Sequence, residues 1–267
     1  MRSGPPPTLG DVHAALRRTV CTGPPRRLGR PAPHSGPMTP SATSPVVHAQ
    51  KLSRRYGARW ALAEVDLEVP AGERLLIVGA NGSGKTTLLR TLSTAQSASL
   101  GSLHIFGMDV RTHAVQVRAR LGLLSHLPQI YRDLSGVENL RIFNRLLGIQ
   151  GPVEPYLERV GLEVRPDPVR TYSAGMTKRL SFARLLAQKP ELALIDEPYG
   201  QLDPAGFAFV DTLLQDLTDE GVTVIVASHQ VDRARHLCDR AILLHQGQVR
   251  WQGPAIDVGR AWDVLHA

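Results

Sequence analysis

Short apolar runs alternate with segments of helical periodicity along most of the chain. Residues 75–78 and 192–195 are apolar runs of strand length, and residues 222–227 are apolar except for Thr223, which is typical of strands buried in a parallel sheet. Between residues 60 and 69 the apolar positions instead recur at every second residue, which predicts an antiparallel strand with one exposed face. Helical periodicity follows the buried runs, as over residues 205–217. The pattern therefore predicts an α/β domain.

The first 37 residues contain eight prolines and show little apolar periodicity. Such a segment buries too little surface to offset its conformational entropy, which predicts disorder. We divide the chain into a Pro/Arg-rich extension over 1–44 and a folded domain over 45–267, and we expect native translation to begin at Met38. Six of the arginines lie in residues 1–37, so the net charge of +7 leaves the domain nearly neutral. We therefore expect no nucleic-acid partner.

No uninterrupted apolar run exceeds four residues, whereas a membrane-spanning helix needs roughly 18. We therefore expect no transmembrane segment. The two cysteines, Cys21 and Cys238, lie far apart in sequence and do not suggest a disulfide framework, which is compatible with a reducing cytoplasm.

A glycine-rich segment follows the first buried run and matches the phosphate-loop pattern of Gly, four residues, Gly, Lys and then Ser or Thr. Its glycines permit a tight turn whose N–H groups meet an oxyanion together with the positive end of a helix dipole. Lys85 supplies a charge for the terminal phosphates and the Thr86 hydroxyl a ligand for Mg²⁺. The candidate nucleotide-binding residues here are Gly79, Ala80, Asn81, Gly82, Ser83, Gly84, Lys85, Thr86 and Thr87.

Two carboxylates end the run at 192–195, and a histidine follows the run at 222–227. Because ligands of open α/β sheets bind at the carboxyl ends of strands, we expect these side chains at one edge. Asp196 is predicted to hold Mg²⁺, directly or through water, and Glu197 to polarise the attacking water. The alternative for the two acids is capping of the next turn. A single histidine is more often a structural residue than a catalytic one. The expected position of His229 beside the phosphate loop and the two carboxylates favours a functional role.

Three further segments carry candidate contacts. Tyr56 precedes the phosphate loop by 23 residues, and its ring either stacks on a nucleobase or merely closes a hairpin. Ser173 and Gly175 stand at a predicted helix N-terminus, where an anion is favoured, although an ordinary N-cap explains them as well. Ser135 and Glu138 have capping-box spacing, and the helix that they begin carries a broad apolar stripe, which more often faces a core than a partner.

Taken together, these motifs resemble the ATP-binding subunit of an ABC transporter across roughly residues 46–253. The resemblance implies an ABC-type P-loop NTPase fold, with a mainly parallel core sheet, an antiparallel β subdomain and a helical subdomain at about 126–186. It makes Tyr56 the adenine-stacking aromatic and His229 the switch histidine. It also identifies the segment around Ser173 as the signature and Asp203 as part of the dimer-contact loop.

The resemblance also implies a mechanism. Two copies would close head to tail as a homodimer around two ATP molecules, each held between the phosphate loop of one copy and Ser173 and Gly175 of the other. Hydrolysis with Mg²⁺, assisted by Lys85, Glu197 and His229, would drive separate transmembrane permease subunits from the cytoplasmic face of the membrane. A soluble non-transport ATPase is disfavoured because the chain has neither a second nucleotide domain nor a long coiled-coil insertion.

Departures from the family pattern fall in two segments. The signature has Tyr172 and Ala174 in place of the common Leu and Gly. The segment that usually carries a metal-sensing glutamine has His126, with Gln129 three residues later. Either His126 ligates the metal through a ring nitrogen, Gln129 substitutes for it, or coupling is altered.

The narrower resemblance is to the ATP-binding subunit of the heme exporter of cytochrome c maturation. It rests on Ser125-His126 and on the segments at 131–140, 170–176 and 196–199. The alternative is the ATPase subunit of a multidrug or lipid exporter, which shares most of these segments. The cargo depends on a membrane partner that this sequence does not contain.

Overall fold

The computed structural model describes residues 44–125, 129–200 and 202–266. Except for residue 44, the predicted extension and its Met38 lie outside the described residues, as does His126. The first strand begins at Val47, just inside the predicted domain. The division at residue 45 stays a prediction.

The described residues form two sheets. A four-stranded antiparallel sheet has the order β2-β1-β4-β5, and a six-stranded sheet has the order β10-β9-β3-β8-β7-β6. In the larger sheet only β10 is antiparallel to its neighbour. The strands are β1 Val47–Tyr56, β2 Arg59–Val69, β3 Arg74–Val78, β4 Leu100–Ile105, β5 Met108–Asp109, β6 Leu121–Leu124, β7 Leu192–Asp196, β8 Thr223–Ala227, β9 Arg240–His245 and β10 Gln248–Pro254.

Apolar residues of helices pack on both faces of the larger sheet, joined on one face by those of the four-stranded sheet, so the predicted α/β class with a mainly parallel core sheet is confirmed. On β3, Leu75 and Ile77 belong to one apolar cluster, whereas Leu76 and Val78 belong to another. A strand buried on both faces explains why its sequence is continuously apolar. The helices are α1 Lys85–Leu92, α2 Ala114–Ala119, α3 Gly136–Leu146, α4 Glu154–Arg159, α5 Ala174–Ala187, α6 Pro204–Asp219, α7 Val231–Ala234 and α8 Val258–His266, with short 3₁₀ turns at Val169–Thr171 and Ala255–Asp257.

Helices α3, α4 and α5 pack against one another within the span predicted as a helical subdomain. The capping box predicted at the start of α3 is confirmed, because Ser135 Oγ accepts from the Glu138 N–H and the Glu138 carboxylate accepts from the Ser135 N–H. The apolar stripe of α3 is a core face only in part. Leu140 is buried, but Leu146 and Leu147 are 74% and 44% exposed, because the helix is covered on one side only.

The β1–β2 hairpin also differs from the sequence expectation. Residues 54–57 end in glycine and are mostly polar, which by sequence favours a turn over all four. In the structure β1 continues to Tyr56, which pairs with Arg59 across a turn of only two residues. Pairing with β2, although its register shifts between Arg54 and Arg55, therefore overrides the polar character of these positions. Strands β9 and β10 form an antiparallel hairpin around a turn at residues 246–247.

Candidate functional site

The phosphate-loop segment connects the end of β3 to the start of α1. Gly84 is the N-cap of α1 and has a φ of 114°, and a Cβ at this position would lie 2.6 Å from the Ala61 carbonyl oxygen. A residue with a side chain would therefore be both strained and obstructed. The first N–H groups of α1 have no acceptor within the helix, and no side chain caps them. This helix end therefore presents donors to an anion.

Lys85 opens α1 and folds its side chain back over the loop. Its Nζ donates to the carbonyl oxygens of Gly79 at 2.7 Å and of Ala80 at 3.3 Å. Burial lowers the pKa of Lys85, whereas the negative charges of Glu197 and Asp196 oppose that shift. The ammonium group is thus held between loop carbonyls and two carboxylates at the position where the motif requires a cation.

Thr86 and Asp196 are brought into direct contact, although 110 residues separate them. Thr86 Oγ1 donates to Asp196 Oδ2 at 2.9 Å. Asp196 is the last residue of β7 and is only 3% exposed. A hydroxyl and a carboxylate at this spacing are hard oxygen donors, which is the ligand chemistry that Mg²⁺ prefers. These two residues therefore fit a Mg²⁺ ion.

Glu197 follows directly and adopts a left-handed backbone conformation with a φ of 49°. Its Oε2 lies 2.8 Å from Nδ1 of His229, and it is also 3.4 Å from the Ser228 hydroxyl and from the His229 N–H. The carboxylate side chain is 15% exposed, whereas the imidazole is 56% exposed. The end of β8 therefore holds the Glu197 side chain from one side.

These groups share a cavity of about 740 Å³. Tyr56 lies in its wall and also closes the β1–β2 hairpin, so the two interpretations of this residue are compatible. Sequence reasoning missed Arg59, which lies across the turn from Tyr56. The described residues that line the cavity are Tyr56, Arg59, Ala61, Asn81, Gly82, Gly84, Lys85, Thr86, Thr87, Asp196, Glu197 and His229.

Seven of the described candidates do not line this cavity: Gly79, Ala80 and Ser83 of the phosphate loop, and four residues from other segments. Ser173 is the N-cap of α5, where Oγ accepts from the Met176 N–H, and Gly175 lies in the first turn of that helix. Asp203 caps α6 by accepting from the Gly206 N–H at 2.7 Å. Gln129 lines a separate cavity beside α3.

The sheet order explains how the cavity is assembled. Strands β3, β8 and β7 are neighbours in the sheet, and their carboxyl ends deliver the loop, His229 and the Asp196-Glu197 pair. The sequence profile of the ABC transporter family matches residues 62–200, from β2 to just past this pair. The chain belongs to the ABC transporter family. As a member with the ATPase domain of that family, it is an ATPase whose ATP hydrolysis is coupled to transport.

Two named relatives and one solved structure illustrate the similarity. The daunorubicin resistance ATP-binding protein DrrA3 of Streptomyces coeruleorubidus is 38% identical over 208 residues, which are 76% of this chain and 66% of the relative. The lantibiotic transport ATP-binding protein SrtF of Streptococcus pyogenes is 30% identical over 206 residues, which are 76% and 89% of the two chains. The ATP-binding cassette MJ0796, a dimer bound to ADP and Pi, is 25% identical with a TM-score of 0.72, over 78% and 98% of the chains.

This agreement confirms the predicted ABC ATPase fold. Among the described residues, no helix combines the length and the apolar character that crossing a membrane requires.

Proposed function

We propose that this chain is the ATP-binding subunit of an exporter for antibiotic-like compounds or peptides, and that it drives separate transmembrane permease subunits from the cytoplasmic face of the membrane. The names of the relatives support this cargo class, since they concern daunorubicin resistance and lantibiotic transport. These names favour the multidrug-type alternative of our sequence interpretation over heme export.

The observation that carries the proposal is the convergence of Lys85, Thr86, Asp196, Glu197 and His229 on one cavity. In the proposed complex, the loop N–H groups and Lys85 bind the phosphates of ATP. The exposed ring of Tyr56 stacks on adenine at the other end of the cavity. Thr86 and Asp196 hold Mg²⁺, which when bound neutralises charge on the phosphates.

Glu197 is the proposed general base. Its carboxylate accepts the proton of the attacking water, and positioned help of this kind contributes about 10² to 10⁴ in rate. His229, 2.8 Å away, orients that carboxylate and stands at the cavity wall, where it can donate to the terminal phosphate. Phosphoryl transfer depends mainly on positioning and charge stabilisation, which these contacts provide.

The nucleotide site is proposed to be completed by a second copy of the chain. Ser173 and Gly175 begin α5 and Asp203 begins α6, yet none of the three lines the cavity of its own chain. In a head-to-tail homodimer the helix N-terminus at Ser173 would face the partner's triphosphate, where its dipole favours an anion. The dimeric arrangement of MJ0796 supports this proposal.

The permease is proposed to dock on the groove beside α3. This groove has a volume of about 450 Å³ and is lined mainly by apolar side chains, including Ile142, Phe143 and the exposed Leu146. Exposed apolar surface of this kind marks a partner site when the partner presents an apolar element. Gln129 lies in the groove wall, and its carbonyl oxygen accepts from Arg184. Gln129 would therefore contact a permease bound in this groove. A role of Gln129 in binding the metal stays a proposal.

The test is a reconstitution with the membrane proteins that copurify with the tagged chain. We expect ATP hydrolysis that requires Mg²⁺ and increases when a hydrophobic cationic antibiotic or a lantibiotic-type peptide is added to the proteoliposomes. Stimulation by heme alone would favour the heme-export interpretation instead. Hydrolysis that does not respond to any membrane partner would contradict a transport role for this chain.

A further inference from the structure

Lys178 is a partly buried cation that the nucleotide cavity does not use. It lies in the second turn of α5, and its Nζ donates to the main-chain carbonyl oxygen of Glu197 at 2.8 Å. It is not among the residues that line the cavity. Lys178 therefore contacts Glu197 from outside the nucleotide cavity, and it acts on Glu197 rather than on the nucleotide.

The residue whose carbonyl Lys178 contacts has a strained backbone conformation. Glu197 is one of seven non-glycine residues with a positive φ in the described part of the chain, and such a conformation persists only when surrounding contacts enforce it. At Glu197 these contacts lie on both sides, since its N–H donates to the Ala227 carbonyl at 2.8 Å and its carbonyl accepts from Lys178. The direction of the carboxylate follows from this backbone conformation.

A lysine is a costly residue for this role unless its charge is needed. Burial lowers the pKa of Lys178 to about 8, against the opposing effect of the Asp196 and Glu197 charges. An apolar residue of similar length would fill the same space without this desolvation penalty. The ammonium group nevertheless ends on a carbonyl oxygen, at the residue proposed as the general base.

Helix α5 connects this contact to the proposed dimer interface. Its N-cap Ser173 stands five residues before Lys178, which is roughly 7 Å along the helix axis. A shift of α5 that brings Ser173 onto the partner's nucleotide therefore also moves Nζ against the Glu197 carbonyl.

We propose that Lys178 is a positioning residue for hydrolysis. It holds the Glu197 backbone and thereby links the orientation of the Glu197 carboxylate to the docking of α5. The link to docking rests on the proposed ATP-bound homodimer. Lys178 makes no contact with the reacting atoms and transfers no proton.

The first test compares Lys178→Met with Lys178→Arg in steady-state ATPase assays of the full chain. We expect K178M to lower kcat about 10- to 100-fold, because misplacement by about 1 Å has effects of that size. The KM for ATP and the Kd for a fluorescent ATP analogue should stay within about twofold of the wild-type values. K178R keeps a donor and should recover most of kcat. A wild-type kcat in K178M, or an equal loss of ATP affinity, would overturn the proposal.

A matched control and a double variant separate positioning from stability. Arg179, the next residue, donates in the same way to the Val160 carbonyl at 2.7 Å but away from the cavity. We expect R179M to lower the Tm and leave kcat within about twofold, and an equal kcat loss in R179M would contradict the proposal. Because Lys178 acts through Glu197, adding K178M to E197Q should cause no further loss of turnover. A full additional loss would also contradict it.

The dimer itself is tested independently by size-exclusion chromatography of E197Q with Mg²⁺ and ATP. If E197Q stays monomeric while K178M still loses kcat, the dimer proposal and the link to docking are wrong, but the positioning role stands. If the dimer forms and K178M turns over at the wild-type rate, the positioning role is wrong by itself.

Discussion

Nδ1 of His229 lies 2.8 Å from Oε2 of Glu197, a contact between residues that follow the carboxyl ends of the neighbouring strands β8 and β7. The Glu197 carboxylate is largely enclosed, whereas the imidazole remains more than half exposed. The side chain proposed to activate water is therefore already oriented, and the imidazole is free to adjust when a nucleotide binds.

Replacing Glu197 by Gln should leave ATP binding intact and stop turnover. The amide keeps the size of the side chain but does not accept a proton, so we expect kcat to fall by about 10² or more. Rapid-quench hydrolysis assays and equilibrium binding of an ATP analogue check the two halves of this prediction. Undiminished turnover would show that Glu197 is not the base.

Replacing Gly84 by Ala should weaken nucleotide binding and lower the stability of the fold. A Cβ at this position would approach the Ala61 carbonyl to 2.6 Å, in addition to its strain at a φ of 114°. Gly72 is a matched control, because it has a φ of 75° but open space around a Cβ. We expect G72A to reduce the unfolding free energy by about 1–2 kcal/mol. G84A should lose more and should raise the Kd for ATP at least about tenfold, measured by calorimetry.

Replacing Leu146 by Glu should uncouple the chain from its permease without affecting basal hydrolysis. Leu146 is 74% exposed in the groove beside α3, so a charge there causes little strain but opposes an apolar partner. Val115→Glu provides the control, since Val115 is 70% exposed on α2, outside the groove. We expect L146E alone to lose copurification with the membrane subunits. Equal retention of the permease by both variants would exclude this groove as the docking site.

The titration of Lys178 should appear in the pH dependence of stability. Its pKa of about 8 in the folded chain lies below the value of 10.5 expected for the unfolded chain. The unfolded state therefore binds more protons between these values, and this group makes the folded state more stable as pH rises through that window. The Tm of the wild type relative to K178M should rise from pH 7.5 to pH 10. A constant difference would contradict the lowered pKa.

Cys238 should resist alkylation in the native protein. Burial raises the pKa of its thiol to about 12, and only the thiolate reacts. Relative to a thiol with a pKa of 9, modification by iodoacetamide at pH 8 should be roughly 10³-fold slower. A Cys21→Ser background isolates this thiol, and mass spectrometry measures the modified fraction. Modification in urea should proceed at an ordinary rate, whereas fast native modification would contradict the raised pKa.

Local signals carried most of the sequence prediction. The phosphate loop, the strand ending in Asp196 and the capping box at Ser135 each depend on residues within a few positions of one another, so pattern and chemistry agree there. The contact of Thr86 with Asp196 also follows, because parallel strands present their carboxyl ends at one edge of a sheet.

Contacts between distant elements could not be predicted in the same way. Nothing in the periodicity of α5 indicates that Lys178 ends on the Glu197 carbonyl, because that contact depends on how the helix sits against β7. The exposure of Leu146 has the same origin, since an apolar stripe does not say which of its residues another element covers. The cargo could not be predicted from any motif in the sequence. The names of the relatives favoured antibiotic-type export over heme export as the proposed function.

Strand β3 lies in the interior of the larger sheet, hydrogen-bonded to β8 on one side and to β9 on the other. The nucleotide cavity thus lies at the carboxyl ends of interior strands of the sheet, namely β3, β8 and β7. Helices α3 and α4 belong to the segment between β6 and β7. If the permease docks beside α3 as proposed, substitutions in those helices change which membrane protein is bound without moving the residues of the nucleotide cavity. Under that proposal, a related chain could acquire a different membrane partner while inheriting the same hydrolytic residues.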